Sequence, residues 1–518
     1  MWHSNLSSKT KIMKLNKILL SAAVAGLGMG ASSCSSDWLD ITNNTQDPVE
    51  EYYNNEENIQ QAVVAAYDPL HWFDYANNYT GLNIYPEVLA DQCLPGGGDV
   101  NDMNQWKVLF NFTATATQVL DTNYSNAYSG VKRCNDALKY MHEYWTPANQ
   151  TQFEHRANYE SQVKALRVFF YNQLWHWWGN IAYYTENLSG DFLAPQYTAD
   201  EVYEAMIKDL EDVIAADNLP EKCSGAELGR VTKHFVYMLY AEIVMYQNDA
   251  SRKPTALRYM EEIINSQKYD LMPNFADIWE VSGEWCQESI WEINYSDFQG
   301  KRNWSWGGTA GGTVVPGMIL PRGYTKADGI HDDTGWGFCT VRKSCYDSYD
   351  PADTRRDASI WQPGEGNYNP AYQDTGYFLA KYAGRIGGNA SQLADAILNY
   401  NNNLRLYRFS EALLNAAELG SPNAQDYLDR VRQRAGLPSI PATLDNIIQE
   451  RAYEFLGEGK RYWDLIRTGL AKDLLVEDNE IPDGRKGHYT DNKKYIPFPQ
   501  SEIDKCKGTL KQNSDYFM

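Results

Sequence analysis

Residues 449–467 read Gln449-Glu450-Arg451-Ala452-Tyr453-Glu454-Phe455-Leu456-Gly457-Glu458-Gly459-Lys460-Arg461-Tyr462-Trp463-Asp464-Leu465-Ile466-Arg467. Acids and bases alternate here with apolar residues at helical spacing, so Glu454, Glu458, Arg461 and Asp464 could form a network of salt bridges. Such a segment predicts helices packed on one another through paired charges, not a catalytic or binding surface. It is frame. Working outward, the periodicity predicts helices over 403–419, 423–435 and 444–456, a short one over 462–467, and a tail after Asp473 that is mostly loop.

Further upstream the same signal recurs. Val163, Leu166, Phe170, Leu174 and Trp177 step by three and four residues, which makes one apolar stripe ended by Gly179. Thr198-Ala199-Asp200-Glu201 has capping-box spacing and opens a second helix through Val202, Met206, Leu210 and Val213. Residues 232–247 and 255–265 form another pair. Each helix is expected to bury one face, so stacked pairs are the economical packing. The periods match tetratricopeptide repeats in length but lack their signature.

Between Asp277 and Gly388 the helical period disappears. Trp279, Trp285, Trp291, Trp304, Trp306, Trp336 and Trp361 crowd in, and ten glycines lie from Gly300 to Gly337. A long segment without a regular period inside a compact domain is usually functional. Short strands are expected around Ser289–Tyr295 and Gly376–Tyr382. The chain therefore reads as one domain over 34–518: an N-terminal and helical-pair region (34–276), a loop-rich insertion (277–388), and C-terminal helices with a tail (389–518).

Residues 1–33 read as an address. Lys14 and Lys17 precede an apolar run from Ile18 to Ala31, as in a secretory signal peptide, and Met13 is the natural start. Cleavage is expected before Cys34 in Ala31-Ser32-Ser33-Cys34, which resembles a bacterial lipoprotein box and makes Cys34 the acylated residue. The full chain of 518 residues carries a formal charge of −22. Without residues 1–33, 42 basic residues face 68 acidic ones, which excludes phosphate-driven nucleic-acid binding. Apolar residues make up 43% and aromatic residues 13%, which fits a globular body with a sizeable core. Seven other cysteines are scattered along the chain; Cys339 and Cys345 are near enough in sequence to clip a loop, though pairing is not legible from spacing.

The 449–467 block resembles a signature of the SusD/RagB family of outer-membrane glycan-capture lipoproteins. Tyr495-Ile496-Pro497-Phe498-Pro499-Gln500-Ser501-Glu502-Ile503, followed by Gln512-Asn513, resembles the family's closing block. Arg133–Leu138, Ala165–Phe170 with Trp178–Ile181, and Asn403–Leu414 match further motifs in family order. The resemblance implies a mostly α SusD-like fold, in which tetratricopeptide-like helix pairs support a loop-rich, Gly/Trp-rich ligand face. It also implies a protein that captures oligo- or polysaccharide outside the cell and passes it to a SusC-like TonB-dependent outer-membrane transporter, anchored by its lipid to the outer membrane.

Sugars offer apolar C–H faces ringed by hydroxyls, so their binders set exposed aromatic rings beside short polar side chains on loops. Lys301-Arg302-Asn303-Trp304-Ser305-Trp306-Gly307-Gly308 has that composition, with both tryptophan rings on one side if the chain is extended. Asp332-Asp333-Thr334-Gly335-Trp336-Gly337 adds a third ring, and the adjoining glycines are expected to leave these rings uncovered. His71-Trp72-Phe73-Asp74-Tyr75 and the loop Asp91–Asp99 are expected to complete the face. The ligand set is thus Trp304, Trp306, Trp336, Asn303, Trp72 and Asp74. Burial is expected for Trp106, Trp175, Trp177, Trp178, Trp279, Trp291 and Trp463. No cofactor is expected; Asp328, Asp332 and Asp333 could bind Ca²⁺ but miss the regular loop pattern. Two other readings remain at this point. One is a peptide- or protein-binding surface lipoprotein of the same fold. The other is a surface glycoside hydrolase, for which no catalytic motif stands out among 68 acids.

Overall fold

A helix needs something to bury its apolar face against, and here each long helix finds the next one in the chain. The computed structural model describes residues 48–74, 79–187, 193–296, 302–303, 311–333, 335–389 and 395–518. Residues 1–33, which were read as a signal peptide, together with Cys34, Tyr75, Trp304 and Trp306, lie outside the described residues. The longer helices are α1 (Glu56–Tyr67), α2 (Asp121–Glu143), α3 (Gln150–Trp178), α4 (Ala199–Ala216), α5 (Lys233–Gln247) and α6 (Lys253–Asn265). After the loop-rich middle come α7 (Phe409–Glu418), α8 (Ala424–Arg434), α9 (Leu444–Glu454) and α10 (Arg461–Thr468). Helix α2 packs on α1 and α3, α3 on α4, α4 on α5, α5 on α6, α6 on α7, and α7 on α8 and α9. The fold is mostly α.

Local chemistry sets the ends of these helices. Asn55, Asn149, Thr198, Thr232 and Thr443 each accept a backbone N–H of the first turn through the side chain. Thr198 and Glu201 complete the expected capping box. Gly179 stops α3 at φ +66°, where a Cβ would lie 2.5 Å from the Tyr495 ring. Helix α3 departs from the single-stripe expectation: from Ser161 to Trp178 nearly every side chain is buried. It is the central helix, flanked by α2 and α4, and even Arg167 is inside, paired with Asp209 at 2.8 Å.

Six short strands form three antiparallel pairs: β1 (Cys93–Gly96) with β3 (Phe338–Val341), β2 (Ser289–Ile293) with β6 (Leu404–Arg408), and β4 (Ile360–Trp361) with β5 (Phe378–Leu379). Residues 404–408 were expected to begin a helix. They pair instead with β2, where Glu292 stands opposite Arg405, and α7 starts only at Phe409. Two buried acids, Glu288 just before β2 and Glu292 on it, pair with Arg408 and Arg405 of the facing strand.

The 449–467 block sits at the centre of a charged core. Arg408 bonds Glu288, Glu454 (3.0 Å) and Glu458 (2.7 Å), while Arg355 and Arg434 also reach Glu454, at 3.0 and 2.6 Å. Lys381 joins through Glu458 at 2.7 Å. Rings of Phe275 and Trp279 cover Lys381 and Arg408, and Phe275 also covers Arg434. Burial alone would raise the Glu454 carboxyl, yet Arg434, Arg408 and Arg355 hold it well below the usual carboxylate range. Glu454 and Glu458 thus find their partners on other segments, while Asp464 is satisfied within the block. Asp464 pairs with Arg451 and Arg467, and Arg461 reaches Asp91 at 2.8 Å, beside β1.

The cysteine spacing left pairing open. Cys339 and Cys345 are both free thiols. Cys339 lies on β3, which pairs with the β1 strand that carries Cys93, and both thiols are buried.

Candidate functional site

The β1–β3 pair brings the 91–99 loop against the segment that carries Trp336. Glycines make this possible by letting backbones touch. A Cβ on Gly96, at φ +69°, would lie 2.3 Å from the Gly337 carbonyl oxygen, which accepts the Gly97 N–H at 2.8 Å. A Cβ on Gly335 would meet the carbonyl oxygens of Leu320 and Pro321 at 2.3 Å. Their role is close approach, whereas the sequence reading gave them the role of uncovering rings.

On this platform Trp336 is half-buried, its N–H bonded to the Gly317 carbonyl at 3.0 Å. Tyr79 meets it edge to face, with centroids 5.4 Å apart and planes at 73°. Tyr79 holds a left-handed φ of +47°, uncommon for a bulky side chain. The two rings form a ledge. Arg322 lies against Gly337 and pairs with Asp102 at 2.9 Å; both side chains are about one-third exposed, at 35% and 34%. Asp102 is fixed in turn by the Gly98 N–H at 2.7 Å. An aromatic ledge beside an accessible guanidinium and carboxylate can stack on apolar C–H faces and bond hydroxyls at once.

Asp74 has a different role from the expected one. It is only 2% exposed. One oxygen pairs with buried Arg302 at 2.8 Å, and the other accepts the Val314 N–H at 3.2 Å. Arg302 is also held by Asn399, whose amide donates to its carbonyl at 2.9 Å. An unpaired guanidinium in that position would be costly, so Asp74 serves as its counter-ion and cannot face ligand. The pair anchors the chain immediately before Asn303, which is half-buried, and before Trp304 and Trp306. Val314–Gly317 connects this anchor to the ledge, since Val314 bonds Asp74 and Gly317 accepts from Trp336. Trp72 is half-buried with the Arg133 guanidinium 4.7 Å from its ring centre. It is packed against α2.

The acidic loop is already satisfied. Lys326 reaches Asp332 at 3.0 Å and Asp333 at 3.3 Å. Asp328 accepts the His331 ring N–H at 2.6 Å and the backbone N–H groups of Ile330 and His331. Burial works to raise the Asp328 carboxyl, but the His331 and Ile330 bonds bring it down to about 2. Trp361 stacks on His331 at 3.9 Å. Among the described residues no group of three or more His, Cys, Asp or Glu could hold a metal ion. Of the tryptophans expected inside, Trp106, Trp175, Trp177, Trp178, Trp279 and Trp291 are buried, and Trp463 is half-buried.

Sequence reasoning missed Tyr79, Asp102 and Arg322, and it placed Arg302 in the flagged 301–308 stretch without giving it a role. Asp102 follows the flagged Gly96-Gly97-Gly98 run by only four residues, which was the available signal. Nothing local distinguished the others.

Comparison with known proteins places this architecture. The model of the SusD family matches residues 287–516. A solved structure of surface glycan-binding protein A from Bacteroides thetaiotaomicron, in complex with laminarihexaose, is 48% identical, with a TM-score of 0.83 over 88% of this chain and 99% of that one. A laminarin-binding SusD-like protein is 28% identical, with a TM-score of 0.80 over 89% of this chain and 99% of the other. SusD-like protein P25 of Formosa agariphila is 24% identical over 483 residues, covering 83% of this chain and 86% of its own.

Proposed function

This chain belongs to the SusD family, and on that premise we propose that it is a cell-surface glycan-binding lipoprotein whose ligand is laminarin or its oligosaccharides. It captures the polysaccharide on the Trp336–Tyr79 ledge together with Asn303, Trp304 and Trp306, and delivers it to a SusC-like TonB-dependent transporter. A lipid on Cys34 holds it to the outer membrane, facing outward. No helix among the described residues is long and apolar enough to cross a membrane, which fits anchorage by lipid. One observation carries the reading: 48% identity over 99% of a protein whose structure was solved with laminarihexaose bound. The ledge supplies the chemistry, an aromatic surface for sugar faces and the Asp102–Arg322 pair for hydroxyls. Binding, not catalysis, is the assigned activity.

Native gel electrophoresis with and without laminarin tests this. Laminarin should retard the protein. Retardation should fall at least about tenfold in apparent affinity for Trp304→Ala/Trp306→Ala and for Trp336→Ala, with melting temperature unchanged. Full binding by both variants would reject the site, and an unretarded native protein would reject the ligand. New reducing ends in laminarin incubated with the protein would favour the hydrolase instead.

A further inference from the structure

A second aromatic groove lies on residues that the ledge does not use. It is about 460 Å³ in volume and runs between α2, the segment after α3 and the C-terminal region, with Tyr124, Tyr128 and Tyr184 as its floor. The rings of Tyr128 and Tyr184 are parallel to within 9°, with centroids 6.0 Å apart, and Tyr124 adjoins Tyr128 at 4.8 Å. These rings are held in place before any ligand arrives. The Tyr128 hydroxyl donates to the Ala182 carbonyl at 2.8 Å. The Tyr171 hydroxyl donates to the Tyr184 carbonyl at 2.7 Å and accepts the Tyr184 N–H at 2.9 Å. It is therefore the backbone of Tyr184 that is tied, while its half-buried ring faces the groove.

The rim defines the ligand chemistry. Lys132 is paired with Asp136 at 2.6 Å, Asn187 donates to the same Asp136, and Lys505 is paired with Glu502 at 2.6 Å. Every charge on the rim has an opposite partner, so the groove shows donors and acceptors without a net sign. A phosphate or a strongly charged peptide would break those pairs to bind; a neutral hydroxylated ligand would not. Rigid phenol rings with a polar, charge-balanced rim are the recognition chemistry of sugars, and the volume is in the range of small-ligand sites.

We propose that the Tyr124–Tyr128–Tyr184 groove is a second carbohydrate site, which takes a neutral oligosaccharide segment. The inference rests on the glycan-binding reading above. A polysaccharide long enough to meet both sites gains affinity through effective concentration that a short oligosaccharide lacks.

Isothermal titration of the full chain with laminarihexaose, and separately with laminarin, tests the proposal. Native protein should bind two equivalents of hexaose, and Tyr184→Ala should bind one with an unchanged melting temperature. Ser125→Trp, at an exposed position on the groove wall, fills the space without removing a packed ring and should also leave one equivalent. Both variants should lose roughly tenfold or more of the preference for laminarin over hexaose. A single equivalent in native protein, abolished by Trp304→Ala/Trp306→Ala/Trp336→Ala and untouched by Tyr184→Ala and Ser125→Trp, would overturn the groove and leave the first site standing. Binding that survives the tryptophan substitutions and vanishes in Tyr184→Ala would uphold the groove and overturn the tryptophan site.

Discussion

Around Glu454, three arginines converge on one carboxylate that is fully buried, and Lys381 joins them through Glu458. Around Trp336, a half-buried ring rests on glycine-lined backbone beside an ion pair open to solvent. The first region is charged and inaccessible, the second aromatic and reachable. Charges taken out of water depend on one another, because removing one leaves its partners uncompensated. The rings of the ledge meet by an edge-to-face contact between neutral groups, so losing one leaves no uncompensated charge behind. Stability and recognition are thus separated in space, and they should separate under mutation.

The sharpest break in that comparison is Glu454→Gln. It strips the shared counter-ion from Arg355, Arg408 and Arg434, and should destabilise the fold by roughly 3–5 kcal/mol in denaturant titration. The folded fraction should still bind laminarin with native affinity. A loss below about 0.5 kcal/mol would show that the charged core is not a cooperative unit.

Asp74→Asn is expected to fall next, since Asp74 is a buried charge like those of the core but anchors the chain that leads toward the ledge. The amide keeps the Val314 bond but takes away the carboxylate charge that faces buried Arg302, a loss of about 2 kcal/mol. Because the chain leaves this anchor directly into Asn303 and Trp304, laminarin affinity should drop together with stability. Native affinity in a destabilised Asp74→Asn protein would mean that the anchor does not position the loop.

The two regions also differ in what sequence alone discloses. The charged frame was legible as a frame, because acids, bases and apolar residues of 449–467 repeat at helical spacing. Its pairing was not: Glu454 meets Arg355 and Arg408 across 99 and 46 residues, and no local pattern encodes such partners. Residues 404–408 read as helix because five alternating residues joined to a true helix look continuous with it. Trp336 was visible from composition. Asp74 was misassigned, since an acid beside aromatics looks the same whether it faces water or a buried arginine 228 residues away. Tyr79 carried no signal beyond being one of 37 tyrosines.

The smallest effect belongs to the solvent-facing side and carries its own pH signature. Asp328 in the folded protein lies at about 2, against 3.8 for an ordinary carboxyl. Folding therefore favours its ionised form, and the stability this confers is present above the unfolded value and lost as pH falls from about 4 through 2. His331, driven toward its neutral form by burial and then by Arg385, donates its ring N–H to Asp328 and carries Trp361 on its face. Asp328→Asn removes the ionised acceptor. Since the carboxylate is partly exposed, the cost at neutral pH should stay within about 1 kcal/mol. The difference in melting temperature between native and variant protein should hold steady from pH 7 to 5 and close toward pH 2. A gap that widened on acidification would reverse the sign assigned to this group, and would mean that burial, not the His331 bond, governs it.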